Sequence, residues 1–298
     1  MKITKKNLGA LVVLMAGLAG GDVHADVPFS AQSTASNVAL AASGMGNLAG
    51  EAPIITQSSS SSIAPNDYGK SLTTPVAWGA AYGTIYAGAA VSNRAPYKHG
   101  TAFSTSVGDG AVAVGIGIGN PIDNFGLQTN LTQYSVHSFN NWGMSFQLNH
   151  YLSTSQAVAV GVSEVMLSTG GDTGRSYYVV YSQAVPGDAF VDNTTGTSRL
   201  HYSIGAGTGY FSAKTQADIF AGKGERGTYV FGNVAYELFH QFNLITDWNG
   251  VNLNVGVSKT FLLTKSIPIV LTVGAVDLTG YSGDGVRYII GVGTGIAL

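Results

Sequence analysis

The stretch "RLHYSIGAG" (199–207) sets His201 and Ser203 two residues apart. On an extended chain such positions share a face, and an imidazole within reach of a hydroxyl is the arrangement that activates a serine nucleophile. A working pair also needs a third group to orient the imidazole and donors for an oxyanion. The same alternation puts Leu200, Tyr202 and Ile204 on the opposite, apolar face, away from the serine. The simpler reading of His201 is a polar residue on the inner side of a wall. His99, His137, His150 and His240 show no metal-ligand spacing, and there is no cysteine for thiolate or Cys-type zinc chemistry. No metal or cofactor is expected. "GIGIG" and "GVGTG" resemble nucleotide loops in glycine spacing alone, since no helix pattern follows either of them.

The remaining candidates are polar residues carried on one parity of alternating segments. In "NWGMSFQLNHYL" (141–152), Trp142, Met144, Phe146 and Leu148 oppose Gly143, Ser145, Gln147 and Asn149. In residues 251–258, Val251, Leu253, Val255 and Val257 oppose Asn252, Asn254, Gly256 and Ser258. Arg199, Asp247 and Arg287 fall on the same polar parity in their own segments. A period of two with chemically different sides is a β-strand signal. About twelve such segments follow one another: 78–92, 111–119, 125–136, 142–152, 156–167, 175–185, 199–210, 228–238, 242–248, 251–261, 267–278 and 286–298. In 175–185 and 228–238 both parities carry apolar and aromatic residues.

Composition decides what the two sides face. Charged residues make up 10% of the chain, against about 25% in an ordinary soluble domain. The polar parity is Gly, Ser, Asn and Gln, whereas a soluble sandwich shows water Lys, Glu and Thr. Residues 1–25 read as a signal peptide: Lys2, Lys5 and Lys6 precede the apolar run 8–19, and Val23-His24-Ala25 suits cleavage after Ala25. The apolar run is too short for a spanning helix of about 20 residues, and no later stretch is long enough either. Without residues 1–25 the chain carries 11 basic and 15 acidic residues, a net charge of −4 that argues against a nucleic-acid partner. An exported, charge-poor chain of alternating strands can enter a membrane as a closed barrel, which leaves no unpaired sheet edge in hydrocarbon.

These features resemble Gram-negative outer-membrane β-barrel proteins as a class: a signal peptide, about twelve alternating strands, rim aromatics, and a last strand "VRYIIGVGTGIAL". Many of that class end on an aromatic, where this chain has Leu298. The resemblance implies an all-β fold, a transmembrane antiparallel up-and-down β-barrel over 76–298. It implies residence in the outer membrane, contact with its lipid, and the barrel-assembly machinery as a partner during insertion. Trp78, Trp142 and Trp248 are then candidates for membrane-interface aromatics, and Ser145, Gln147, Asn149, Arg199, His201, Asp247, Asn252, Asn254 and Arg287 for lumen-lining residues. Residues 26–75, rich in Ser and Ala with the serine run 58–62, fit either a flexible segment or a plug folded into the barrel. The His-x-Ser spacing is similar to that of outer-membrane phospholipases, although Ile204-Gly205 stands where that pattern has Asn-Gly. The activity expected is a porin-like channel passing small solutes by diffusion. A non-conducting structural or surface-interaction barrel is the second reading and a lipid hydrolase the third. Nothing in the residues sets an oligomeric state.

Overall fold

Alternating residues that make poor helices satisfy their backbones by pairing sideways, and here the pairing closes on itself. The computed structural model describes residues 70–80, 83–93, 108–134, 142–166, 175–192, 196–214, 216–264, 267–280 and 285–297. Among them twelve strands follow in chain order: β1 (Thr84–Ser92), β2 (Asp109–Gly119), β3 (Gly126–Gln133), β4 (Trp142–Ser153), β5 (Gln156–Met166), β6 (Ser176–Ala184), β7 (Leu200–Gly207), β8 (Val230–Phe239), β9 (Phe242–Trp248), β10 (Leu253–Thr264), β11 (Ile267–Val276) and β12 (Arg287–Ala297). Each pairs antiparallel with its neighbours in sequence, and β1 closes on β12 from Thr84 opposite Ala297 to Ser92 opposite Ile289. Closure leaves no strand edge unpaired. The signal peptide and residues 26–69 lie outside the described residues.

The two faces separate as the parity requires. On β2, Val112, Val114, Ile116 and Ile118 point outward and are 38% to 47% exposed, while Ala111 and Ala113 on the alternate parity are buried. Ile204, Val234, Leu244, Leu271, Val273, Ile290 and Val292 continue this apolar belt. A contiguous apolar surface of this extent marks contact with lipid or another apolar phase. Burial of the inward parity, from Gln128 and Asn130 on β3 to Ser258 and Thr260 on β10, shows that the lumen is largely filled.

Inward glycines give the filling its room. A Cβ at Gly161 would lie 2.3 Å from the Tyr178 ring, and one at Gly205 2.3 Å from the Phe231 ring. Gly115 accommodates Tyr86 in the same way. Small wall residues are thus paired with large inward rings on neighbouring strands, so the high glycine content is a set of holes for specific knobs.

The wall begins later than the sequence suggests. β1 starts at Thr84, and Trp78 belongs to an inner segment, not to a rim; it is 3% exposed and packs edge-on against Tyr151 at 5.2 Å. Trp142 and Trp248 do sit on one rim, at the ends of β4 and β9 distant from the start of β1. The opposite rim, where β1 begins, carries an outward girdle that includes Tyr181, Tyr202, Phe239, Phe242 and Phe261. Tyr181 and Tyr202 both donate to Gln183 Oε1, at 2.7 and 2.8 Å, and the rings of Phe239 and Phe242 stack at 4.4 Å. Lys259 lies over Phe239 and Phe261 with its ammonium on His240 O. This mixture of rings and cations suits a membrane interface.

Candidate functional site

Lys70–Ala80 runs inside the barrel as a strap, and every residue in it from Leu72 to Ala80 is buried. Twelve strands enclose more space than the eight whose side chains alone fill a lumen, so a chain segment can fit. Lys70 enters at the end where β1 begins. Its Nζ donates to Asn243 Oδ1 at 2.5 Å and lies 3.5 Å from Glu237 Oε2, the whole pair being buried. Glu237 is held in turn by the Gln241 N–H at 2.7 Å.

The strap next meets Asp247. The carboxylate accepts from Thr73 N (2.7 Å), Leu72 N (3.2 Å) and Thr73 Oγ1 (3.1 Å), and from Asn254 Nδ2 (2.7 Å). Hydrogen bonds to an ionised acceptor contribute about 1.5–3 kcal/mol each, so Asp247 is the strongest single anchor of the strap. Leu72 fills the space left by Gly256 and Gly274, and it shares a buried cluster with Ala235 and Ile245. Asn233 Nδ2 donates to Thr74 Oγ1 at 3.0 Å.

Beyond Pro75 the strap crosses to the other wall. Ala77 N donates to Ser182 Oγ at 2.7 Å, and Ser182 shares a 2.8 Å hydrogen bond with Ser203. Ala80 N donates to Gln128 Oε1 at 2.8 Å. With its amide oriented to satisfy both partners, Asn149 donates to Gly126 O at 2.9 Å and accepts from Gly79 N at 3.3 Å. Val76, Ala77 and Trp78 join Ala157, Ala159, Val180, Phe211 and Phe231 in one apolar cluster.

Phe211 reaches that cluster from the rim opposite the strap's entry. The segment 208–229 makes a 3-10 turn at Gly209–Phe211 and a short helix α1 (Gln216–Phe220). The turn drops Phe211 inward to stack on Phe231, ring centres 4.2 Å apart. Gly250, at φ +94, lets this happen, since a Cβ there would lie 2.1 Å from Phe211 O. Gly250 belongs to an Asn-Gly turn between β9 and β10: Asn249 Oδ1 accepts from Val251 N and Asn252 N, which holds these two residues in the turn and starts β10 at Leu253.

A second ion pair lies behind the strap. Arg287 Nε meets Asp277 Oδ2 at 2.5 Å, both fully buried, and Asp277 sits at φ 62 in the left-handed region that Asp tolerates better than most residues. Asp277 N donates to Asn254 Oδ1 at 2.9 Å, which links this pair to Asp247. Asn252 completes the group by accepting from Thr279 Oγ1 at 2.7 Å. Burial, reinforced by Asp277 and Asp247, holds the Tyr210 phenol well above its ordinary value, so it stays a neutral donor and acceptor.

The structure therefore turns Ser145, Gln147, Asn149, His201, Asp247, Asn252, Asn254 and Arg287 inward, each buried. Asn149, Asp247 and Asn254 touch the strap directly, while Gln147 accepts from Tyr178 OH at 2.8 Å. Arg199 differs. It precedes β7, and its guanidinium lies over the ring of Tyr236 and bonds to Glu237 O and Leu238 O. Tyr236 is on the outward parity, so Arg199 serves the rim and not the lumen. Ser203 lies under the strap through Ser182, on the inner face with His201 and away from the apolar belt. The sequence did not single out Asn243 or Ser182 as partners of the strap, nor Phe211 and Phe231. Ser182 and Phe231 lie in segments that carry apolar residues on both parities because part of the interior is itself apolar, and Phe211 lies in a turn outside the alternating segments.

No family model matches the chain, and no curated protein matches it. Among solved structures it is similar to the KdgM porin, at 11% identity and TM-score 0.43 over 72% of this chain and 99% of that one. It is similar to an outer membrane channel from Pseudomonas putida F1, at 11% identity and TM-score 0.42 over 79% of this chain and 100% of that one. A third is outer membrane phospholipase A from Escherichia coli, at 11% identity and TM-score 0.39 over 72% of this chain and 97% of that one. The twelve-stranded closure is read from the chain's own pairing and does not depend on these likenesses.

Proposed function

We propose that the protein is an outer-membrane, porin-like channel for passive diffusion of small solutes, with the strap 70–80 occupying the lumen in the state described here. One observation carries the reading: a closed barrel of twelve strands is apolar outside and lined with Gln, Asn, Ser and Thr over much of its inside. An apolar belt needs lipid, and a polar inner wall of this width is what a diffusing solute needs. Export by cleavage after Ala25 and insertion by the barrel-assembly machinery complete the proposal. The rim where β1 begins is assigned to the periplasm, which lets the strap enter from the side on which the chain arrives.

The strap is held by hydrogen bonds, one buried ion pair and the apolar packing of Leu72, Val76 and Trp78, and in a chain without cysteine no disulfide fixes it to the wall. It is therefore a removable occupant, and passage follows from its displacement. Liposomes loaded with the full mature chain should admit small uncharged sugars faster than protein-free liposomes, and a strap-loosened variant should do so faster still. A second reading, a non-conducting structural barrel, is favoured by the packing of Val76, Trp78, Phe211 and Phe231 into one buried cluster. Sugar-impermeable liposomes with both proteins would select it.

A further inference from the structure

The part of the wall that the strap covers on β8–β10 has a chemistry of its own. It presents two carboxylates, Glu237 and Asp247, among the amides of Asn233, Asn243 and Asn254. What lies on it is an ammonium, two backbone N–H groups and hydroxyls: Lys70 Nζ on Asn243 and Glu237, Leu72 N and Thr73 N on Asp247, Thr74 Oγ1 on Asn233. An acceptor remains unused there. Asn233 Oδ1 finds no partner among the described residues although its side chain is buried, at 4% exposure. Asn233 faces the strap, since its Nδ2 bonds to Thr74. The charges agree. Among the described residues the buried acids on the inner wall are Glu164, Glu237, Asp247 and Asp277; Arg287 is committed to Asp277, and the Lys70 ammonium on the strap faces Glu237. Withdrawing the strap takes the Lys70 ammonium away from Glu237 and the Leu72 and Thr73 N–H donors away from Asp247.

We propose that this stretch of wall is a binding site for cationic, amine-bearing solutes, and that the strap occupies it as an internal stand-in whose Lys70 ammonium marks the place of the solute's amine. The inference rests on the channel reading for its role in transport, but binding itself does not. Solute and strap compete, so an amine displaces the strap and the opened lumen favours cations over anions.

Trp78 reports the competition because it lies in the strap against Tyr151. The experiment uses the full mature chain in detergent with Trp142→Phe and Trp248→Phe, which leaves Trp78 as the sole tryptophan, titrated with spermidine and, at equal ionic strength, with citrate. Spermidine should change Trp78 emission saturably and citrate should not. Lys70→Ala, which removes the competitor and keeps the wall, should tighten spermidine binding about tenfold. Glu237→Gln added to Lys70→Ala should weaken it about tenfold, the factor expected for loss of one charge-assisted hydrogen bond. A purely structural role for Lys70 does not give effects of opposite sign. In planar bilayers under a potassium chloride gradient, the Lys70→Ala protein should reverse toward the potassium equilibrium potential. No spermidine response in Lys70→Ala, or an equal response to citrate, overturns the proposal. A spermidine response with silent bilayers overturns the channel reading and leaves the site. Conductance without cation preference and without a spermidine response overturns the site and leaves the channel.

Discussion

At the scale of single residues, Asp247 and Gly250 do the most with the least freedom. Asp247 gathers three donors from two adjacent strap residues. Asp247→Ala leaves the Leu72 and Thr73 amides without their acceptor and should cost the strap about 3 kcal/mol or more. The bond after Lys70, the first basic residue beyond the predicted signal peptide, should then be cut by trypsin at least about tenfold faster, read by mass of the released fragment. An unchanged cutting rate would remove Asp247 from the account. Gly250→Ala meets Phe211 O and a φ of +94 together. It should cost about 1–3 kcal/mol, read as a lower temperature for the heat-induced shift of the barrel band in detergent gels. Parity placed Asp247 inside the barrel, yet its partner could not be read, because Thr73 lies 174 positions away and nothing local announces the pairing.

At the scale of elements, the strap and the wall are fitted by knobs and holes. Leu72 sits in the space left by Gly274, where a Cβ would lie 3.3 Å from its side chain and clear of backbone. Gly274→Val should therefore push the strap out while β11 keeps its pairing, seen as an altered Trp78 emission with unchanged far-ultraviolet circular dichroism; loss of the strand signal would show that the wall had failed instead. Most strands were legible because lipid outside and small polar groups inside give a clean period of two, as in β4 and β10. β6 and β8 were harder, since Val180 and Phe231 face an apolar part of the lumen and blur the contrast. The start of β1 was misread for a related reason. "VAWGAA" (76–81) is apolar on both parities, and Trp78 suits a lipid interface by composition as well as it suits the interior that it fills.

At the scale of the whole molecule, the barrel is an inside-out object: apolar where an ordinary protein is wet, and polar where it is packed. The belt makes its own prediction. Val114→Arg places a charge at the middle of β2 on the outward face and should cost about 2–4 kcal/mol in a bilayer, read by denaturant unfolding from liposomes. The same substitution should be nearly neutral in a detergent that lets the side chain reach water, and equal costs in both media would argue against a lipid-facing belt. Closure, strand number and the identity of the inner face followed from periodicity and charge scarcity. The occupancy of the lumen did not, because a strap that fills a barrel carries the same Ser, Thr and Ala as one that hangs free of it. The most direct test of the central claim, that this is a channel occupied by its own strap, is single-channel recording of the parent and of Asp247→Ala in planar bilayers. The account predicts discrete steps in the variant that are larger or far more frequent than in the parent. Identical traces from the two proteins, conducting or silent, would contradict it.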